Sequence, residues 1–156
     1  MKKFIAAIAG LGLILNGPAA KATPQFRLLL STLQQAGVNL IADDHPACDN
    51  PRSLGRYYYQ YGVQNDFVVC VENHAGDNEE LRDTVIHESI HVVQACRNGQ
   101  PIYTQASLVR ASTPEQISFV GEHYSRKQFH QELEARVLAA NEDEVSITEL
   151  INRYCF

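Results

Sequence analysis

The sequence predicts an α+β fold in which several helices pack beside one small β-sheet. The chain has 156 residues, of which 45% are hydrophobic and 20% are charged, and this is enough for one compact domain. Helical periodicity runs through most of the chain. Only two short segments combine aromatic and β-branched residues in the way that is typical of strands.

Residues 1–22 have the features of a secretory signal peptide. A lysine pair near the start is followed by an apolar run of 12 residues without a charge. Small residues at the expected positions predict cleavage between Ala22 and Thr23, which leaves 23–156 as the mature domain. The apolar run is shorter than the roughly 18–20 residues that a membrane-spanning helix needs. We therefore expect a secreted or periplasmic protein without stable membrane insertion after signal removal.

Charge and cysteine content narrow the class of protein further. The formal net charge is −5, and loss of three lysines with the signal peptide leaves ten basic residues against eighteen acidic ones, a net charge of −8. An acidic chain without a basic run is a poor nucleic-acid binder, so we expect no nucleic-acid partner. Four cysteines in an exported chain favour two disulfides, and three pairings remain open. They are Cys48, Cys70, Cys96 and Cys155.

The predicted elements follow from caps, turns and periodicity. Thr23 and Pro24 are typical of a helix start, and Gly37 is typical of a helix end. A loop follows over 43–55. Two strands at 56–61 and 66–72 are expected to form a hairpin. The remaining predicted helices cover 78–98, 114–123, 125–140 and a last short segment with a capping box at Ser146–Glu149.

The motif that carries chemistry is His87-Glu88-Ser89-Ile90-His91, which matches the H-E-x-x-H pattern. Residues four apart lie on one face of a helix, so both imidazoles can reach one Zn²⁺. Zinc lowers the pKa of a bound water to about 7. Glu88 can then act as general base when this water attacks a carbonyl. The motif therefore predicts a single catalytic zinc.

A catalytic zinc site needs a third protein ligand and an open fourth position. Gln94 and Arg97 stand where the metzincin pattern requires Gly and His, which excludes that class. Two acids on a later helix, Glu132 and Glu134, point in different directions and are the alternatives. We favour Glu132 because alanines lie on its face, and small residues let two helices approach closely. Glu134 remains open as the alternative ligand.

These segments resemble the gluzincin type of zincin metallopeptidase. Locally they are similar to the mitochondrial inner-membrane peptidase family that processes an ATP synthase subunit. The resemblance covers about a third of the chain and implies a minimal zincin-like fold, with the small sheet beside the H-E-x-x-H helix. It implies zinc ligands His87, His91 and Glu132. The matching pieces are Val68-Val69-Cys70, His87 to His91, Cys96-Arg97 and Glu132 to Ala135.

The resemblance also implies how a substrate is held. In zincins, the strand beside the active-site helix pairs with extended substrate, which would be part of 67–71, with Asn73 and His74 near the cleft. A donor that stabilises the oxyanion is expected as well. The candidates for this donor are His123, Tyr124 and His130.

One departure from the gluzincin pattern concerns the position four residues after the ligand Glu. Many gluzincins have an Asp there that orients a zinc-binding His, whereas this chain has Arg136. A carboxylate with that role must come from elsewhere in the fold.

The sequence therefore predicts an exported zinc-dependent metallopeptidase that acts on a peptide or protein substrate. Three alternatives remain open. The chain can be a zinc-binding interaction module without turnover, although Glu88 argues against this. It can be a zinc amidase acting on cell-wall peptide, or a helical secreted protein without a metal.

Overall fold

The computed structural model describes residues 23–156, and the predicted signal peptide lies outside these residues. Within them the chain forms six α-helices and one three-stranded sheet, which confirms the predicted α+β class. The helices are α1 (Pro24–Gln35), α2 (Asn78–Cys96), α3 (Gln105–Ala111), α4 (Pro114–His123), α5 (Phe129–Asn141) and α6 (Glu144–Cys155). The strands are β1 (Asn39–Ala42), β2 (Gly55–Gln60) and β3 (Gln64–Val69).

The sheet has the order β1-β3-β2, with β3 in the middle. Strands β2 and β3 form the predicted antiparallel hairpin, in which Tyr57 lies opposite Phe67. Strand β1 was not predicted, and it pairs in parallel with β3. The Asn39 side chain supports this pairing because its Nδ2 donates to Asp66 Oδ1 at 2.9 Å. Both edges of β3 are therefore occupied.

Helix α2 forms the centre of the domain. Its residues Val85, Ile86 and Ile90 are fully buried in the core. The helix packs against the sheet, α5 and α6. Close approach of β2 to α2 requires Gly55, because a Cβ at this position would lie 2.7 Å from Thr84 Cγ2. This packing brings the edge strand next to the helix that carries the H-E-x-x-H motif.

Helix caps account for some of the observed boundaries. Thr23 caps α1 as predicted, accepting from Phe26 N at 3.1 Å. The predicted capping box at Ser146 is wrong, because Asp143 caps the helix three residues earlier and accepts from Ser146 N at 2.9 Å. Helix α5 begins at Phe129 rather than Ser125, and the short α3 was not predicted.

Two disulfides connect distant parts of the chain, as predicted. Cys48–Cys70 links the loop before β2 to the end of β3, and Cys96–Cys155 joins the last residues of α2 and α6. Both bonds agree with an extracellular location. Among residues 23–156, none of the helices has the length and apolar character needed to span a bilayer.

Candidate metal centre

Three side chains from two helices meet at one point. His87 and His91 lie one turn apart on α2, and Glu132 lies on α5. Glu132 Oε2 is 3.7 Å from His87 Nε2 and 3.6 Å from His91 Nε2. One ligand atom from each residue lies within 4.8 Å of the other two. The group can therefore hold a metal ion.

The protonation of Glu132 suits a metal ligand. Burial alone would raise its pKa, but pairing with His87 and His91 outweighs burial and lowers the pKa to about 2. Burial alone would lower the pKa of His91, but pairing with Glu132 and the nearby Glu88 charge raise it to about 9. Glu132 is therefore an anion at neutral pH, and it attracts positive charge to the point where the imidazoles meet.

Glu134, the alternative ligand, points away from the two histidines. It is fully buried, and its Oε1 accepts from the backbone N–H groups of Ile102 and Tyr103 at 2.7 and 2.8 Å. Its Oε2 accepts from Gln94 Nε2 at 2.9 Å. These three donors occupy both oxygens. The structure therefore brings Glu132, rather than Glu134, to the histidines.

Gln94 connects Glu134 to the metal centre. Its Nε2 faces two groups that only accept, Glu134 Oε2 and the Gln131 carbonyl at 3.0 Å, so this atom is the amide nitrogen. Its Oε1 is then the atom that lies 2.8 Å from His91 Nδ1. His91 must donate from Nδ1, so the proton that the imidazolium can lose is the one on Nε2, which faces Glu132. We refer to His91, Gln94 and Glu134 as the His91 relay.

Many gluzincins orient a zinc-binding His with an Asp at the position that Arg136 occupies here. In this chain the His91 relay supplies a carboxylate, Glu134, for that role. Sequence reasoning missed it. The available signal was the spacing of Gln94, three residues after His91 on the same helix face. The pairing of Gln94 with Glu134 joins residues 40 positions apart and depends on how α2 packs against α5.

Glu88 lies beside the histidines and is fixed by the sheet. Its side chain is largely buried, and its Oε2 accepts from the Tyr57 backbone N–H at 2.8 Å. Tyr57 belongs to β2, the edge strand, so this hydrogen bond connects the H-E-x-x-H helix directly to the sheet. One carboxylate oxygen is thereby held while the other remains available for proton transfer.

A cleft of about 830 Å³ opens beside the centre. Strand β2 forms part of its wall, and Tyr124 and Arg136 contribute from α4–α5. Burial raises the pKa of Tyr124, and the Glu132 and Glu88 carboxylates add to this effect. Of the three predicted oxyanion donors, Tyr124 is therefore the one that lines the cleft close to both carboxylates.

The other two predicted donors bond elsewhere. The exposed His123 places its Nδ1 2.8 Å from Phe119 O on its own helix. His130 Nε2 lies 2.8 Å from Tyr103 O. Neither residue lines the cleft.

The prediction that 67–71 pairs with substrate is wrong, because β3 has a strand on each side. Asn73 and His74 do not line the cleft either. Asn73 Nδ2 donates to backbone carbonyls of the 48–53 loop, and the buried His74 lies between Cys70 O and Thr84 Oγ1. Within the part of the chain that the structure describes, the strand that lines the cleft and has no second neighbouring strand is β2.

The fold and the site define a small disulfide-bonded α+β domain with a candidate metal centre. The chain belongs to the family described as Domain of unknown function (DUF8637), which matches residues 24–156. No curated protein and no solved structure matches the chain. Membership in this family assigns no activity, so a function has to be argued from the chemistry of the site.

Proposed function

We propose that this protein is an exported zinc-dependent metallopeptidase. The observation that carries the proposal is the meeting of His87, His91 and Glu132 at one point with Glu88 held beside them. Two imidazoles and one carboxylate are the protein ligands of many catalytic zinc sites, which leave a fourth position open. The H-E-x-x-H sequence and its resemblance to gluzincins support the same conclusion.

The spacing of the three side chains supports the proposal of a zinc ion. Ligand atoms bonded to Zn²⁺ at about 2.0–2.1 Å in a tetrahedral arrangement lie about 3.3–3.4 Å from one another. The two distances from Glu132 to the imidazoles are 3.7 and 3.6 Å. Shifts of a few tenths of an ångström would bring Glu132 Oε2 into this range of both imidazoles. The His91 relay would hold the other His91 proton on Nδ1, so that release of the Nε2 proton on metal binding frees the lone pair that such a bond needs.

When bound, zinc polarises a substrate carbonyl and lowers the pKa of a water molecule to about 7. Glu88 takes one proton from the attacking water with its free oxygen, and the hydroxide bonds to the carbonyl carbon. Glu88 then passes that proton to the leaving nitrogen as the C–N bond breaks. The products are one free carboxylic acid and one free amine, so the overall reaction adds one water to the peptide bond.

Two further groups have roles in the proposed reaction. The Tyr124 hydroxyl can donate to the developing oxyanion from the cleft wall. The edge of β2 that faces away from β3 can pair with an extended peptide at positions other than Tyr57, whose N–H already donates to Glu88, and this is the role that the resemblance had given to 67–71. Export through the signal segment 1–22 fits this activity, and the disulfides support a secreted or periplasmic location.

The test is hydrolysis of a mixed library of quenched fluorescent peptides by the mature chain. We expect activity that disappears with a chelator, returns with zinc and is lost in Glu88→Gln. The substituted amide keeps an oxygen for the Tyr57 N–H, so this variant should fold and bind zinc normally. Zinc-loaded wild type that cleaves no peptide faster than Glu88→Gln would contradict the proposal.

A further inference from the structure

Arg136 is a charged residue of the cleft that the proposed reaction does not use. It lies on α5 one turn after Glu132 and lines the cleft together with His87 and Glu88. Its guanidinium carbon stacks 4.0 Å above the ring of Phe119. This stacking fixes the guanidinium group in the wall of the cleft.

The charge of Arg136 has no acidic partner among residues 23–156. No carboxylate oxygen of this part of the chain lies within 4.0 Å of its nitrogens, and its Nε is buried without a hydrogen-bond partner. Arg82, by contrast, reaches Glu144 at 2.7 Å. The Tyr124 hydroxyl is a hydrogen-bond neighbour of this half-buried guanidinium but brings no charge, so the positive charge of Arg136 remains available to an anion in the cleft.

The position of Arg136 relates this anion to the reacting bond. Residues four apart on a helix have Cβ atoms about 5–6 Å apart, so Arg136 lies close to the ligand Glu132. An extended peptide advances about 3.3–3.6 Å per residue. A substrate held at the metal centre therefore brings groups within about two residues of its reacting bond to the guanidinium.

We propose that Arg136 binds a carboxylate of the substrate and makes the enzyme selective for peptides with an acidic group near the cleaved bond. This inference rests on the proposed function, because it uses the metal centre to place the substrate. A guanidinium binds a carboxylate through two parallel N–H···O bonds, which an amide of the same shape cannot replace. The carboxylate can belong to an acidic side chain or to the C-terminus of the peptide.

The net charge of the cleft does not explain this selectivity. Arg52 and Arg56 line it, but so do the acidic residues Glu80 and Asp83. Discrimination would therefore need a direct contact rather than a general attraction of anions, and Arg136 is the cleft arginine on the same helix as Glu132. This difference makes the proposal testable with peptides that differ in one group.

The experiment measures peptide binding to the zinc-loaded Glu88→Gln chain by fluorescence anisotropy. The probes are dye-labelled octapeptides of Ala and Ser in which one Glu, or one Gln, occupies each position in turn. Each is made with a free and with an amidated C-terminus, which separates the two sources of carboxylate. We expect one Glu position, or the free C-terminus, to tighten binding about tenfold over its neutral match.

Variants assign this preference to one residue. Arg136→Gln should remove the tenfold preference while leaving the neutral peptides bound within about twofold, and Arg136→Lys should keep part of it. Arg110→Gln, an exposed arginine on α3 outside the cleft, should change nothing. A preference that survives in a folded Arg136→Gln chain overturns the proposal, as does equal binding of charged and neutral peptides by the chain with Arg136.

Failure of this inference can be told apart from failure of the proposed function. Hydrolysis without any preference for acidic peptides rejects the subsite and keeps the peptidase. If binding shows a preference that depends on Arg136 but the wild-type chain hydrolyses no peptide, the subsite is kept and the peptidase is rejected. Absence of binding by every peptide overturns the subsite, while the zinc content reports on the metal centre separately.

Discussion

Substitution of Glu134 by Gln tests the His91 relay without touching His87, His91 or Glu132. Glu134 Oε1 accepts two backbone N–H groups, from Ile102 and Tyr103, so the new amide should keep its oxygen there. Its nitrogen then faces Gln94 Nε2, which lies 2.9 Å from the carboxylate oxygen that it replaces. Two donors now point at each other, and the relay cannot keep its present hydrogen bonds.

Two responses are open to the Glu134→Gln chain, and both weaken zinc binding. If Gln94 rotates, its nitrogen faces His91 Nδ1, which forces the ring proton onto Nε2, where the metal should bind. If Gln94 stays, it loses its hydrogen bond to the charged Glu134, which contributes about 1.5–3 kcal/mol to the stability of this arrangement. Loss of such an orienting partner typically lowers metal affinity about 10- to 100-fold, or about 1.4–2.8 kcal/mol.

The assay is competition for zinc against a chromophoric chelator at neutral pH, with histidine ¹⁵N spectra to report the tautomer. The matched control is Glu149→Gln, an exposed acid on α6, which should bind zinc like wild type. A folded Glu134→Gln chain with zinc affinity within about twofold of wild type would refute the relay. Loss of all zinc binding, equal to that of Glu132→Gln, would instead identify Glu134 as a ligand.

Three other substitutions test separate parts of the account. Glu88→Gln should retain zinc and lower peptide hydrolysis by about 10²–10⁴-fold, measured as kcat with a fluorescent peptide. Gly55→Ala should lower the free energy of unfolding by about 1–3 kcal/mol in urea titrations, because its Cβ would clash with Thr84. Glu144→Gln should lower the free energy of unfolding by about 0.5–1 kcal/mol at pH 7. This last difference should vanish as the pH falls below the ordinary glutamate pKa, because Arg82 outweighs burial and lowers the pKa of Glu144.

Each of these substitutions has its own control or opposing result. The control for Gly55→Ala is Gly121→Ala in α4. Its Cβ would lie 3.9 Å from the Phe129 ring, so this replacement should leave the free energy of unfolding unchanged or raise it. If Gly55→Ala unfolds at the same urea concentration as wild type, β2 can move away from α2. For Glu144, the stability of its carboxylate pairing exists above the unfolded pKa and is lost as the pH falls through the lower folded value. A cost that is constant with pH would exclude ion pairing as its origin.

The parts of the fold that depend on local sequence were predictable. The α2 helix and the β2–β3 hairpin follow from periodicity, caps and a short turn. Strand β1 could not be found in this way, because it has four residues and pairs with β3, 27 positions later. The start of α6 was misplaced because two capping signals, Asp143 and Ser146, lie three residues apart and the earlier one prevails.

In the candidate site, too, the parts that follow from local sequence were predictable and the parts that depend on long-range packing were not. His87 and His91 converge because of helix geometry, and small neighbours pointed to Glu132. The His91 relay and the unpaired charge of Arg136 depend on how α5 docks against α2 and α4, which no local pattern encodes. The role of β2 at the cleft was missed for a related reason, since the unpredicted β1 covers the edge of β3 that substrate was expected to use.

The central claim is that this domain holds one zinc ion through His87, His91 and Glu132. The most direct measurement is zinc per chain by elemental analysis of the mature protein, purified beside Glu132→Ala and Glu149→Ala. The account predicts about one zinc in wild type and Glu149→Ala, and almost none in Glu132→Ala. Folded wild-type protein that contains no zinc, even after zinc is supplied, would contradict the metal centre and the peptidase proposal with it.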